Sequence, residues 1–365
     1  MSARSGLDPH TGSSRTGTRR VDFGRRVLVL RRGRVALRLD LRSVVVCSVL
    51  VLVVACMAVL ALMTGSYQLS PGQVISSLTG GTTGLVHDIV VEWRLPRVLA
   101  ALVFGAALGV SGALFQSTMR NPLADPYIIG FSQGSYTGAL IVILLVNGTY
   151  WQLAGGALIG GTVTAVAVYL LAYRQGVQGF RLIVVGIGIS AMLASLNTWL
   201  ILKADLDEAM AAATWGAGSL NGVNSAQVLF GAVCIAVLLL LAAMSSRSMR
   251  QLEVGDDAAA AQGVRVSATR LGLIVLGVAL TATVTAASGP IAFISLLAPQ
   301  IGRRLTRTAG ITLAPAALVG ALLCLAADYL AQHVAPTPLP VGIITVILGG
   351  GYLGWLLIIE ARRRL

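Results

Sequence analysis

The chain reads as a succession of apolar stretches separated by short polar gaps, and each stretch has about the twenty-residue length a helix needs to cross a bilayer. Ten spans are expected: Ser43–Met63, Leu95–Ser117, Tyr127–Val146, Trp151–Tyr173, Leu182–Leu202, Ala226–Met244, Arg270–Ala287, Ile291–Leu305, Thr312–His333 and Val341–Ile359. The eighth is short and contains Pro299. Small residues return at every fourth position within the spans, as at Gly105/Gly109, Gly130/Gly134/Gly138 and Gly156/Gly160. Such stripes let helix backbones approach closely where lipid supplies no hydrophobic drive for association, so they read as packing seams. Pro122, Pro126, Pro290, Pro299 and Pro340 mark helix starts, breaks or kinks, because each removes a backbone donor. The pattern predicts an all-α polytopic membrane bundle over residues 43–365. Residues 1–42, rich in Arg, Ser, Gly and Thr and lacking an apolar period, read as a basic tail without fixed structure.

Composition agrees, with 56% of the 365 residues hydrophobic and 11% charged. A net charge of +13 raises the question of nucleic acid, so the placement of the basic residues matters. Eleven of the 27 precede Ser43 and most others fall in the gaps between apolar runs. With the tail in the cytoplasm, ten crossings put every basic residue inside except Arg94, Arg97 and Lys203, which is the asymmetry of the positive-inside rule. Both termini are then cytoplasmic, and a bilayer rather than a nucleic acid explains the charge. The four cysteines, Cys47, Cys56, Cys234 and Cys324, all lie inside apolar runs and read as buried thiols, with no disulfide or metal site.

Ion-coupled transporters usually bury ionisable groups in their spans. Here Asp328 is the only carboxylate well inside a run and Asp125 sits at a loop edge, a thin basis for a proton relay. A secondary transporter is therefore the weaker rival, and Asp328 reads as a structural hydrogen-bonding group near the outer end of the ninth span. Nor can the chain supply a phosphate-binding loop, since its one lysine, Lys203, follows Leu202. No catalytic residue is assigned, and any ATP hydrolysis belongs to another polypeptide.

The gap between the sixth and seventh spans, near residues 250–266, holds Leu252-Glu253-Val254-Gly255-Asp256-Asp257-Ala258-Ala259-Ala260-Ala261-Gln262-Gly263-Val264. Asp256 suits an N-cap, the alanines favour helix and Gly263 suits a left-handed stop. A helix of about two turns is not stable alone in water, so it needs a partner surface, and its acidic start and scant apolar face favour protein over lipid.

At this point the sequence resembles the FecCD family of binding-protein-dependent permeases, which serve iron siderophores, haem and cobalamin. The likeness runs from Ser43 to Arg364. It rests on Arg94-Leu95-Pro96-Arg97 followed by Gly105 to Gly112, on Arg120-Asn121-Pro122-Leu123-Ala124-Asp125-Pro126, on Gly255 to Val264, on Gly289-Pro290-Ile291-Ala292-Phe293 and on Leu339-Pro340-Val341-Gly342. The resemblance implies a ten-helix subunit of the type II ABC importer permease fold, paired with an identical or paralogous permease. It also implies two ATPase subunits carrying ATP and Mg, and an extracytoplasmic substrate-binding protein. The cytoplasmic helix becomes the coupling helix, with Gly255, Asp256, Asp257, Ala258, Ala260 and Gly263 at the ATPase. Asn121 and Leu123 match positions near the cytoplasmic gate and Gln178 and Gly179 lie in the loop facing them, although Asn121-Pro122 equally reads as a helix stop. Helices five and ten are expected near the dimer axis, which makes Ser195, Asn197 and Thr198 either pore-facing or interhelical hydrogen-bonding groups. Arg94 and Arg97 are expected to project at the outer rim, as the docking point of the binding protein or as snorkelling cations. Where some relatives carry a further outer arginine, this chain has Gln332 and His333. The implied cargo is a ferric siderophore, with haem or cobalamin as the alternatives, and no metal site is expected on the chain itself.

Overall fold

The structure, a computed structural model, describes residues 27–32, 35–81, 83–146, 148–172 and 179–364. The chain divides into two units, Met1–Val44 and Val45–Leu365. In the first, β1 (Val27–Arg32) and β2 (Val35–Asp40) pair antiparallel, with Val27 opposite Asp40 and Arg32 opposite Val35. These two short strands lie within the residues expected to form a mostly disordered tail. Their short β-branched runs are strand-formers that a search for twenty-residue apolar stretches passes over.

Helix α1 (Leu41–Met63) leads out of this unit. It is followed by α2 (Pro71–Leu78) and α3 (Leu85–His87), which continues through a π-helical stretch, Asp88–Arg94, into α4 (Leu95–Met119). A 3₁₀ turn at Pro126–Ile129 precedes α5 (Phe131–Val146), α6 (Tyr150–Ala172) and α7 (Gly179–Lys203). Then come α8 (Leu206–Gly216), α9 (Ser225–Val254), α10 (Asp256–Ala261) and α11 (Val266–Ser288). The chain closes with α12 (Ile294–Thr306), α13 (Leu313–His333) and α14 (Val341–Arg364). Among the described residues, seven helices are long and apolar enough to cross a membrane, and α5 and α14 carry shorter apolar stretches.

The eighth expected span is helical over fewer residues than expected: α12 has 13 residues, which at 1.5 Å per residue is about 20 Å, shorter by itself than a ~30 Å hydrocarbon core. The preceding segment is bent away from helix by Gly289 at φ +72° and by Phe293 at φ +68°. The second span starts earlier than expected, because one continuous helix runs from Leu85 to Met119. Pro96 has no N–H to give the turn before it, and the chain passes that point with the wider π turn, in which the Leu95 N–H reaches Val90. Helix α9 extends ten residues beyond Met244, since a helix continues where hydropathy has already fallen. The short α2 was not expected, although Ser70 and Gln73 cap its start reciprocally, Ser70 N–H to Gln73 Oε1 at 2.8 Å and Gln73 N–H to Ser70 Oγ at 3.4 Å.

Helix α4 is the centre of the bundle, buried on every face from Ala107 to Thr118 and packed against α9, α11, α12 and α13. Phe104 covers Gly231 of α9 and Phe115 covers Gly277 of α11. Ser111 Oγ donates to the Gly277 carbonyl at 2.6 Å and lies 2.8 Å from Thr281 Oγ1. The expected seams are present except at Gly130, which ends the 3₁₀ turn at φ +85° and lies outside α5. Gly105 and Gly109 lie against Gly320 and Ala316 of α13, and Gly134 and Gly138 of α5 lie against Gly160 and Gly156 of α6, so close that a methyl group on any of these glycines would meet backbone or Cβ atoms of its neighbour.

Candidate coupling and gate site

Arg120 ends α4 in the left-handed region, at φ +48°. That turn aims its guanidinium at the α9–α10 junction, where Nε and Nη2 donate to the Leu252 carbonyl at 3.1 and 2.7 Å and Nη2 also pairs with Asp256. From the first turn and a half of α11, Arg270 Nη2 donates to both oxygens of the same carboxylate, at 2.8 and 3.0 Å. Partial burial pushes the Asp256 carboxyl up, but the hydrogen bond and charge of Arg270, and then those of Arg120, outweigh it and hold it below the usual carboxylate range. The expected N-cap role of Asp256 is corrected. Asp256 is the first residue of α10, the cap position is Gly255 at φ +141°, and no side chain caps the helix because two arginines hold the carboxylate instead. Gly263, at φ +83°, makes the left-handed stop.

The six expected coupling residues do not share one face. Ala259 is buried and Ala258 half-buried against the bundle, whereas Asp257, Ala260 and Gly263 are exposed together with Val254. At the end of α9, Glu253 Oε1 accepts from Ser117 Oγ at 2.7 Å and from the Ile311 N–H at 3.4 Å, a second tie back to α4.

The loop after Arg120 is fixed by its own side chains. Asn121 Oδ1 accepts from the Leu123 N–H at 2.9 Å and the Asn121 carbonyl from the Ala124 N–H at 3.1 Å. Asp125 Oδ1 caps the following turn at the Tyr127 N–H, 3.0 Å away, and accepts from Ser295 Oγ of α12 at 3.0 Å. Gln300, also on α12, donates to the Pro122 carbonyl at 2.8 Å. Asn121 therefore does serve as a helix stop, and Leu123 is left 39% exposed at the surface of the loop. Gln178 lies outside the described residues and Gly179 opens α7, so the expected pairing across the gate falls outside them too. Beneath the loop, Gln116, Arg120, Asn121, Glu253 and Arg303 line a cavity of about 240 Å³.

At the other end of α4, Arg94 and Arg97, expected to project at the outer rim, both make hydrogen bonds within the chain. Arg94 Nη1 and Nη2 donate to the carbonyls of Leu62 and Tyr67 at 2.8 and 2.5 Å, satisfying backbone oxygens left over where α1 ends. Arg97 grips Asp328 of α13 with Nε at 2.9 and 3.1 Å and Nη2 at 2.8 Å, and Gln332 Nε2 donates to the same carboxylate at 2.8 Å. Asp328 is the structural hydrogen-bonding group expected of it.

A family model for the FecCD transport family matches residues 50–359. The chain belongs to that family. It is 48% identical over 324 residues to the ferric enterobactin transport system permease protein FepG of Escherichia coli (strain K12), covering 88% of this chain and 98% of that protein. It is 34% identical over 326 residues to the iron(3+)-hydroxamate import system permease protein FhuG of Bacillus subtilis (strain 168), covering 87% and 97%. Its fold matches a solved metal-chelate type ABC transporter in an inward-facing conformation at a TM-score of 0.74 and 28% identity, over 87% of this chain and 99% of that one.

In this FecCD chain the polar groups of α7 do not act together. Asn197 is buried and hydrogen-bonded between helices, accepting from Thr137 Oγ1 of α5 at 2.7 Å and donating to the Gln133 carbonyl and Oε1 at 3.3 and 3.2 Å. Ser195 and Thr198 lie on the exposed face and bond back to the carbonyls of Ala191 and Ala194. Among the described residues, no group of three or more His, Cys, Asp or Glu side chains is placed to hold a metal ion. Sequence reasoning quoted Arg120, Glu253 and Arg270 without giving them a role. The available signal was an arginine directly before Asn121-Pro122 and an aspartate directly after a glycine break, both in segments already marked as cytoplasmic.

Proposed function

We propose that the chain is the membrane permease of an ATP-driven importer that carries a ferric siderophore across the bacterial cytoplasmic membrane. The observation that carries this reading is the match to the ferric enterobactin permease along almost the whole of both chains. The geometry supports it. A six-residue helix presents Asp257 and Ala260 outward while its inner side is bolted to α4 and α11, an arrangement suited to receiving force from a docked subunit. The partners of this reading are a second permease, two ATPase subunits that hold ATP and Mg, and an extracytoplasmic binding protein docking at the Arg94 and Arg97 end of α4. With Asp328 neutralising Arg97, docking there relies on shape more than on free positive charge.

The test is uptake in a bacterium deleted for its own importers and supplied with this permease and its neighbouring ATPase and binding-protein genes. Radioactive iron presented as ferric enterobactin or as an iron(3+)-hydroxamate is expected to enter only while ATP is available. Entry of labelled haem or cobalamin in its place would move the assignment within the family, and entry driven by a proton gradient without ATP would end it.

A further inference from the structure

Three observations meet at the cytoplasmic end of α4. Arg120 sits in the left-handed region, which a side-chain-bearing residue adopts only when its surroundings compensate, and here the compensation is its hold on Leu252 and Asp256. Asp256 is the first residue of α10 and follows Gly255, whose φ of +141° uncouples α10 from the end of α9. Arg120 is joined by one peptide bond to Asn121, and the Asn121–Asp125 loop is hydrogen-bonded to α12 through Gln300 and Ser295. A displacement of α10 therefore draws on the Arg120 side chain before it reaches any other part of the loop. Arg270 holds the same carboxylate from α11, so Asp256 lies between two cations, and sliding α10 strengthens one contact as it weakens the other.

We propose that Arg120, acting through Asp256, is a positioning residue that transmits movement of α10 to the Asn121–Asp125 loop during transport. The inference rests on the reading of α10 as the helix on which the ATPase docks. It makes the Arg120–Asp256 pair a transmission element rather than a brace, and the two roles give different results when the pair is cut.

The test uses the complete complex with its ATPase and binding protein, reconstituted in liposomes, with Arg120→Gln, Asp256→Asn and the double variant. Three quantities are read: ATPase retained on the permease, ATP hydrolysis, and ferric enterobactin taken up per ATP. In both single variants uptake per ATP is expected to fall about tenfold while the ATPase stays on the permease. The double variant is expected to do no worse than the poorer single one, since both changes cut the same link. A proportional fall in uptake and hydrolysis, effects that add in the double variant, or loss of the ATPase from the complex would each overturn the proposal. Should Arg120→Gln not fold, the near-isosteric Asp256→Asn, at a half-exposed carboxylate, carries the same comparison. Asp257→Arg/Ala260→Arg tests the docking reading separately. If the ATPase stays bound and fully coupled in that variant, α10 is not the docking helix, whatever the Arg120 variants show.

Discussion

Arg97 and Asp328 form the ion pair whose loss should be felt most. Asp328 is 2% exposed and Arg97 17%, so removing the arginine strands a carboxylate in a site that water scarcely reaches. Arg97→Ala is expected to destabilise the protein by about 3–5 kcal/mol, whereas Arg97→Met/Asp328→Leu, which removes both charges, should recover most of that loss. Thermal unfolding in detergent checks both, and equal stability of the two variants would show that the pair contributes nothing beyond packing. Each residue was singled out in the sequence, Arg97 for its place outside and Asp328 for its isolation in an apolar run. Their partnership was not legible, because they stand 231 residues apart and periodicity carries no information about which helices meet. The same holds at the other end of α4, where Arg120 and Asp256 each lie in a quoted segment but 136 residues separate them.

Elements were legible in proportion to their length and hydropathy. Helices α6, α11 and α13 lie close to the expected ranges, since a twenty-residue apolar run has few alternatives. The misses have physical causes: α12 is apolar but interrupted, α2 and α8 are too short to register, and the β1–β2 hairpin is hidden among arginines. The glycine seams were legible as stripes, although not by partner. Gly109→Leu is expected to cost at least the ~1–3 kcal/mol of ordinary overpacking, because the added carbons would press on the Ala316 backbone and not on a side chain able to move. Gly155→Leu, at a position with nothing within 4 Å of the added Cβ, is the matched control and should leave stability nearly unchanged. Thermal melts that rank the two variants the other way would rule out backbone contact as the basis of the seam.

For the whole molecule, the basic residues give an orientation that the helices alone do not. Reporters fused at Ser13 and after Arg364 should both be cytoplasmic, and one inserted near Gly80 external; termini on opposite sides would remove an even number of crossings. A second expectation concerns motion. Where α4 and α13 meet at Gly105, Gly109, Ala316 and Gly320, and α5 and α6 at Gly134, Gly138, Gly156 and Gly160, the backbone of one helix lies directly against that of the other. Shear between helices works by small readjustments of interleaved side chains, and where backbone rests on backbone there are none to readjust. Each pair is therefore expected to move as a stiff double beam, with any opening carried by hinges between beams. Spin labels on α4 and α13 should keep their separation when the assembled transporter binds ATP, while labels on α4 and α5 should change theirs. An importer built this way opens by tilting paired helices as units, so the loops joining the beams, the one after Arg120 first among them, must absorb the change in angle.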